Sequence, residues 1–201
     1  MRDVMAVVVA YSLGCVQTGY YLVRAVTGQD LRSIGSGVTG ARNVGRVLGR
    51  RGFVLTLLVD GGKGALAVAV AGWLGASPLA EAAALLAVAV GHVWPVQLRF
   101  SGGRGVAVGL GALAVFDIRL LGVLAAVTLL VCAVSRRFQV GGLVGFAAIP
   151  FAAWWFHVRN EGLAGVGGLS VIVLFAHRVH IARLLWPAPE AGGEPAAKPG
   201  E

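Results

Sequence analysis

Two short stretches interrupt an otherwise apolar chain: SGVTGARNVGR at 36–46 and FSGGRGVAVG at 100–109. Each sets glycines beside arginine. Glycine lets the backbone approach a ligand closely, and successive N–H groups in such a loop can converge as an anion-binding nest. Arginine adds a permanent charge and a forked set of donors suited to phosphate. In the first stretch Ser36 and Asn43 add short hydrogen-bonding side chains. Arg42 and Arg46, four positions apart, share a face if a helix starts there. In the second stretch Arg104 precedes an apolar helix whose N-terminus favours an anion. The chemistry expected is the holding of phosphate groups. GxxxxGK[ST] is absent, which excludes a P-loop, and no GxGxxG joins a strand to a helix.

The other polar residues are few. Asp60 and Lys63 lie at i, i+3 inside an apolar run, where each charge costs roughly 2.5–3.5 kcal/mol on insertion scales. They either form a structural ion pair or brace and reach a substrate site. His92 sits in GHVWP, where Pro95 ends the helix. His177 and His180 flank Arg178 in AHRVHIARLL. No acidic or cysteine ligand stands near that HxxH, so no metal site is assigned. Before the C-terminal tail only Asp30 and Asp60 fall on or near the arginine-rich face. Mg²⁺-dependent pyrophosphate chemistry needs several clustered carboxylates, so a reaction on a phosphorylated substrate without metal or cofactor is expected. Cys15 and Cys132 lie in apolar runs and read as small buried hydrophobes.

The elements that must position these residues are membrane helices. The chain has 201 residues, 57% hydrophobic and 13% charged, with mean hydropathy +0.81. A soluble domain carries about 25% charged residues. The expected fold is an all-α polytopic membrane protein with spans at 4–26, 53–75, 79–98, 105–116, 119–135, 140–158 and 163–178. The first run is too long for a signal-peptide core, and the fourth is short for a span.

Sorting the 17 Lys and Arg by the loops of seven spans gives a strong asymmetry. One side receives Arg24, Arg32, Arg42, Arg46, Arg50, Arg51, Arg99, Arg104, Arg136, Arg137, Arg178, Arg183 and Lys198; the other receives Arg2, Arg119 and Arg159. The positive-inside rule then puts the N-terminus outside and the C-terminus in the cytoplasm, and the bias weakens if 105–116 does not cross. The net charge of +8 thus belongs to a cytoplasmic membrane face, suited to lipid head groups or a phosphorylated substrate and not to nucleic acid. Residues 1–186 read as one seven-helix domain. Residues 187–201, rich in Pro, Ala, Gly and Glu, read as a disordered cytoplasmic tail.

In chain order the motifs are SGxxGAxN, DxxKG, GHxxP, FxGGxGVA and HxxxIxRL. This succession, from about Val9 to Leu185, resembles the bacterial membrane-integral acyl-phosphate:glycerol-3-phosphate acyltransferases. The resemblance implies seven transmembrane helices and a cytoplasmic active site in the bacterial inner membrane. It implies transfer of a fatty acyl group from acyl phosphate to the 1-hydroxyl of glycerol 3-phosphate, giving lysophosphatidate and phosphate with no cofactor. The implied partners are these two substrates, membrane lipids and a soluble acyl-phosphate-forming enzyme. Ser36, Arg46 and His177 become the candidate catalytic residues, Ser36 without a covalent role because no His–Asp pattern accompanies it. The candidate substrate-binding residues are Gly37, Gly40, Arg42, Asn43, Lys63, His92, Gly102, Gly103, Arg104, Gly105 and His180. A substrate phosphate oxygen is the alternative to His177 as base.

The chain departs from the family pattern at several positions. Val38 stands for Asn, Arg42 for Thr, Arg104 for Lys and His180 for Asn, and RFQVGGL at 137–143 lacks the serines of the third cytoplasmic motif. Three further readings stay open: a related enzyme using another phosphorylated acceptor or acyl donor, a catalytically silent relative that binds lipid phosphate or a partner enzyme, and a transporter, which would place polar residues through the bilayer midplane.

Overall fold

The computed structural model describes residues 1–186; the tail expected at 187–201 lies outside the described residues. Every regular element among the described residues is helical: α1 (Arg2–Cys15), α2 (Thr18–Thr27), α3 (Ala41–Trp73), α4 (Pro78–Val93), α5 (Val106–Phe116), α6 (Ile118–Ser135), α7 (Phe138–Trp155), α8 (Asn160–Ala176) and α9 (Arg178–Leu185). Single 3₁₀ turns cover Leu31–Ser33 and Val96–Leu98. In lipid each backbone N–H and C=O must be paired within its own segment, and an apolar helix does this. Five stretches are long and apolar enough to cross a membrane: Arg2–Thr27, Ala41–Trp73, Pro78–Leu98, Ile118–Ser135 and Phe138–Trp155. Asn160–Ala176 with Arg178–Leu185 makes a sixth, bent by 66°. α5 is apolar but has only 11 residues, about 16 Å of helix against a hydrocarbon core of about 30 Å.

Local chemistry sets the helix ends. Ser77 caps α4 through its hydroxyl, with Pro78 in the first turn, and the Asp3 carboxylate accepts from both Ser77 N (2.9 Å) and Oγ (2.8 Å). Asp117 caps α6 by accepting from Arg119 N. Gly28 ends α2 in the left-handed conformation.

Two expected spans differ in detail. The run expected to be continuous over 4–26 breaks between α1 and α2, at Val16 and Gln17. The second span, expected from 53, belongs to a helix that starts at Ala41 and is redirected at Gly49 (φ 66°, ψ −163°). Only glycine occupies that conformation without strain, so one residue turns the arginine-bearing first segment away from the apolar remainder.

Close helix pairs use small residues, as expected where lipid supplies no hydrophobic drive between helices. α1 packs on α4 through Gly14 and Gly91: a Cβ on Gly14 would meet the Val88 carbonyl, and one on Gly91 the Tyr11 carbonyl. α3 packs on α5 in the same way, with Gly64 against the Val108 carbonyl and Gly111 against that of Gly61. Around these crossings lies a core that includes Leu85, Val88, Leu113, Phe146, Ile149 and Leu169. Gly111→Ala is therefore expected to cost about 1–3 kcal/mol through overpacking of the α3–α5 crossing. Thermal unfolding in detergent checks this against Gly62→Ala, where a Cβ meets nothing within 4 Å and the midpoint should hold or rise.

Candidate active site

The break in the first span leaves three carbonyls without helical partners, those of Gly14, Cys15 and Val16. Side chains from other helices satisfy them. Lys63 Nζ donates to Val16 O (2.5 Å) and Gly14 O (3.2 Å), and Gln97 Nε2 donates to Cys15 O. A cation at a helix C-terminus also complements the helix dipole. Lys63 Nζ pairs with Asp60 Oδ1 at 3.0 Å, and Asp60 accepts a further bond from Thr18 Oγ1 at 3.1 Å. A fourth neighbour, His92 Nδ1, lies 3.0 Å from the ammonium. An ammonium only donates, so Nδ1 accepts and the His92 ring proton sits on Nε2. Lys63 and His92, expected among the substrate-binding residues, are instead buried (6% and 3% exposed), with the lysine's donors committed inside the fold. They brace the broken helix against α3 and α4.

The second loop folds back over the end of α4. Gly103 N donates to His92 O (3.0 Å) and Gly102 N to Val93 O (3.1 Å), capping carbonyls that α4 leaves open. A Cβ on Gly103 would enter the His92 ring, and one on Gly102 would meet the His92 carbonyl. The anion-binding nest expected from these two glycines is thus not formed, because their N–H groups are spent on α4. What they supply is close approach. Gly105 (φ 80°) then starts α5, and the first bond back along that helix runs from Gly109 N to Gly105 O. The earlier first-turn N–H groups of α5 have no intrahelical partner by geometry and follow directly on Arg104.

The first loop is wound around Asn43, a buried residue of α3. Its Oδ1 accepts from Ser36 N (3.2 Å), and its Nδ2 donates to the carbonyls of Leu31 (3.2 Å), Ile34 (2.9 Å) and Val38 (3.1 Å). Gly35, at φ 59°, gives this contact its room: a Cβ there would collide with Asn43 Oδ1 and stand 3.3 Å from Arg46 Nη1. Gly37 also turns at positive φ, and Gly40 caps α3. Ser36, Arg42 and Arg46 are exposed. The two arginines line an open groove of about 390 Å³ with Gly45, Gly49, Arg50 and Phe53, one face of the helix on either side of the Gly49 kink.

The two loops are tied together. Thr39 N donates to Gly102 O at 3.3 Å. Arg32 pairs with Asp30 at 2.7 Å, donates to Leu98 O at 3.0 Å and lies 5.2 Å over the Tyr20 ring. The Arg32 side chain, through its hydrogen bonds, holds the Asp30 carboxyl below the usual carboxylate range. A depressed carboxylate contributes stability that is present above the unfolded value, near 3.9, and is lost as pH falls through the lower folded value. The stability difference between wild type and Asp30→Asn is expected to stay flat from neutral pH down to about 5, to shrink as pH falls past about 4, and to be lost only beneath the lower folded value, read from unfolding midpoints across pH.

Between the loops sits a cluster of cations. Arg104 is half-buried, and burial first, then Arg42, Arg46 and Arg183, push its pKa down from the ordinary guanidinium value. Charges crowded this way are relieved by a bound anion. His177 stands at the bend between α8 and α9, with Arg104, His180 and Arg42 as neighbours. Its Nδ1 lies 2.8 Å from Val173 O. A carbonyl only accepts, so Nδ1 carries the proton and the neutral ring keeps a basic lone pair on Nε2. His180 Nε2 is buried without a protein partner among the described residues. The structure thus brings Arg42, Arg46, Arg104, His177 and His180 together, while Lys63 and His92 are buried, His92 directly beneath the second loop. Sequence reasoning missed Gln17, Thr39 and Gln97; the polarity of Gln17 inside an apolar run is the one hint of a break. It also missed Arg183, which its place in HxxxIxRL, three residues after His180, signals.

Fold and site together define a polytopic, all-helical integral membrane protein that gathers arginines and histidines between two helix-end loops. The chain belongs to the glycerol-3-phosphate acyltransferase family, whose pattern matches residues 4–187. It is 42% identical over 185 residues to glycerol-3-phosphate acyltransferase 1 of Desulfitobacterium hafniense (strain Y51), covering 92% of each chain. It is 40% identical over 182 residues to the glycerol-3-phosphate acyltransferase of Bradyrhizobium diazoefficiens, covering 90% of each. Its fold matches the crystal structure of PlsY (YgiH), an integral membrane glycerol 3-phosphate acyltransferase, in its glycerol 3-phosphate form. That match has a TM-score of 0.84 at 28% identity over 92% of both chains. The lysophosphatidic acid form of the same protein matches with a TM-score of 0.80.

Proposed function

We propose that this chain transfers a fatty acyl group from acyl phosphate to the 1-hydroxyl of glycerol 3-phosphate, releasing lysophosphatidate and phosphate. The observation that carries this reading is the clustering of Arg42, Arg46, Arg104 and Arg183 with His177 and His180, in a member of this family. Acyl phosphate is an activated anhydride, so no enzyme nucleophile is required. The arginines hold two phosphorylated substrates together, and positioning of this kind supplies about 7–11 kcal/mol of the barrier. The 1-hydroxyl oxygen attacks the acyl carbonyl carbon while His177 Nε2 takes its proton. The acyl–phosphate C–O bond then breaks and phosphate leaves with the bonding pair. Arg104 and the open N–H groups of α5 offset charge developing on the carbonyl oxygen and the leaving phosphate. Ser36 offers a hydroxyl hydrogen bond from the rim.

The same reading places seven spans in a bacterial inner membrane, N-terminus outside, with the site facing the cytoplasm. The arginine asymmetry of the loops supports it. A soluble enzyme that makes acyl phosphate would deliver the donor to this face. The test is purified protein in a lipidic mesophase, given palmitoyl phosphate and glycerol 3-phosphate, with phosphate and lysophosphatidate followed together. Stoichiometric appearance of both is the expected result. Phosphate without lysophosphatidate would mean another acceptor, and neither product from folded protein would overturn the assignment.

A further inference from the structure

The hydrogen bonds around the broken first span close into a ring that no single motif contains. Gln17 is 1% exposed, at the break itself. Its Nε2 donates to Gly14 O (3.2 Å) and to His92 O (3.1 Å), and its Oε1 accepts from Thr39 Oγ1 at 2.6 Å. Thr39, also 1% exposed, is in the first loop, and its N–H donates to Gly102 O in the second. The next residue closes the circuit, because Gly103 N donates to the same His92 carbonyl that Gln17 holds. Thus Gln17, Thr39, Gly102, Gly103 and His92 form one buried cycle.

Each bond in it is asymmetric in what it leaves if broken. A buried amide or hydroxyl without a partner keeps its full desolvation penalty, so the ring tolerates one geometry and resists intermediates. That geometry sets a distance. Thr39 precedes Gly40, the cap of the helix segment carrying Arg42 and Arg46. Gly102 and Gly103 precede Arg104. The ring therefore fixes where one group of cations stands relative to the other, and it touches no substrate itself.

We propose that Gln17 and Thr39 form a positioning pair that locks the two arginine-bearing loops in register for acyl transfer. The kinetic part of this inference rests on the function proposed above; the structural part does not. If the pair acts this way, removing it leaves each loop with its own cations and spoils only their mutual placement. Binding of either phosphate then changes little, and turnover suffers.

The experiment compares wild type with Thr39→Val, Gln17→Leu, their double variant and Thr39→Ser, all as full-length protein in the same mesophase or detergent. Thr39→Val keeps the shape and the backbone N–H and removes only the hydroxyl. Amide hydrogen exchange over peptides 36–46 and 98–106 is read first, because it needs no activity. Both peptides are expected to exchange roughly 10-fold faster or more in each single variant, the double variant is expected to add nothing further, and Thr39→Ser is expected to match wild type. Exchange that changes only in the substituted loop would overturn the proposal. In turnover, kcat is expected to fall about 10–100-fold with KM for glycerol 3-phosphate within about 3-fold of wild type. Wild-type kcat in Thr39→Val would overturn the proposal. If Thr39→Val or Gln17→Leu fails to fold, Thr39→Ser decides: matched exchange and kcat support the hydroxyl's role, and loss of either refutes it. An inactive wild type with coupled exchange would sink the acyltransferase reading and leave the lock standing.

Discussion

Arg104→Ala is expected to lower kcat/KM for glycerol 3-phosphate by about 10²–10³-fold, the scale seen when one preorganised donor is lost from a charge-stabilising site. Arg104 stands between the second loop and the start of α5, with Arg42, Arg46 and Arg183 around it. Those neighbours repel one another without a ligand, so the alanine variant should fold at least as well as wild type. Stability and activity will then move in opposite directions, which separates a site residue from a structural one. Arg104→Lys keeps the charge and loses the forked donor set; it is expected to fall between alanine and wild type. The check is paired: steady-state turnover of palmitoyl phosphate and an unfolding midpoint for each variant. An alanine variant with wild-type turnover would remove Arg104 from the mechanism.

Lys63→Met produces the opposite pattern, a large loss of stability. It removes the cation that pairs with Asp60 at 3.0 Å and caps Gly14 and Val16. Asp60 remains, 1% exposed, as a buried charge with Thr18 alone. Removing one member of a buried pair costs about 3–5 kcal/mol, which for a chain of this size lowers the midpoint by about 6–20 °C. The double variant Asp60→Asn/Lys63→Met is expected to recover part of the loss, because the stranded charge is gone. It is not expected to recover all of it, because the carbonyls at the break stay uncapped. Unfolding midpoints of the two singles and the double in one detergent decide this. A Lys63→Met midpoint equal to wild type would show that the bonds to α1 carry no stability.

Much of this was legible in the chain itself. Long apolar runs must become helices where water is absent, so α4, α6 and α7 appear within a few residues of where run length and composition place them. Asp60 and Lys63 pair as their i, i+3 spacing requires. Arg42 and Arg46 share a face because a helix does begin at Ala41. These are local consequences, set by residues close in sequence. The break at Val16 and Gln17 was not legible. No proline or glycine sits at either position, and the long-range bonds that replace the helical ones come from Lys63 and Gln97, which are far away along the chain. The role of the second loop's glycines escaped for the same reason: their N–H groups look available until α4 is brought beneath them. Residue types determined that this chain is a helical membrane protein with two cationic, glycine-rich loops, because burial and charge act on each residue where it stands. Which of those polar groups face a ligand and which are consumed inside the fold was decided only in three dimensions, because a hydrogen bond is settled by the partner that arrives.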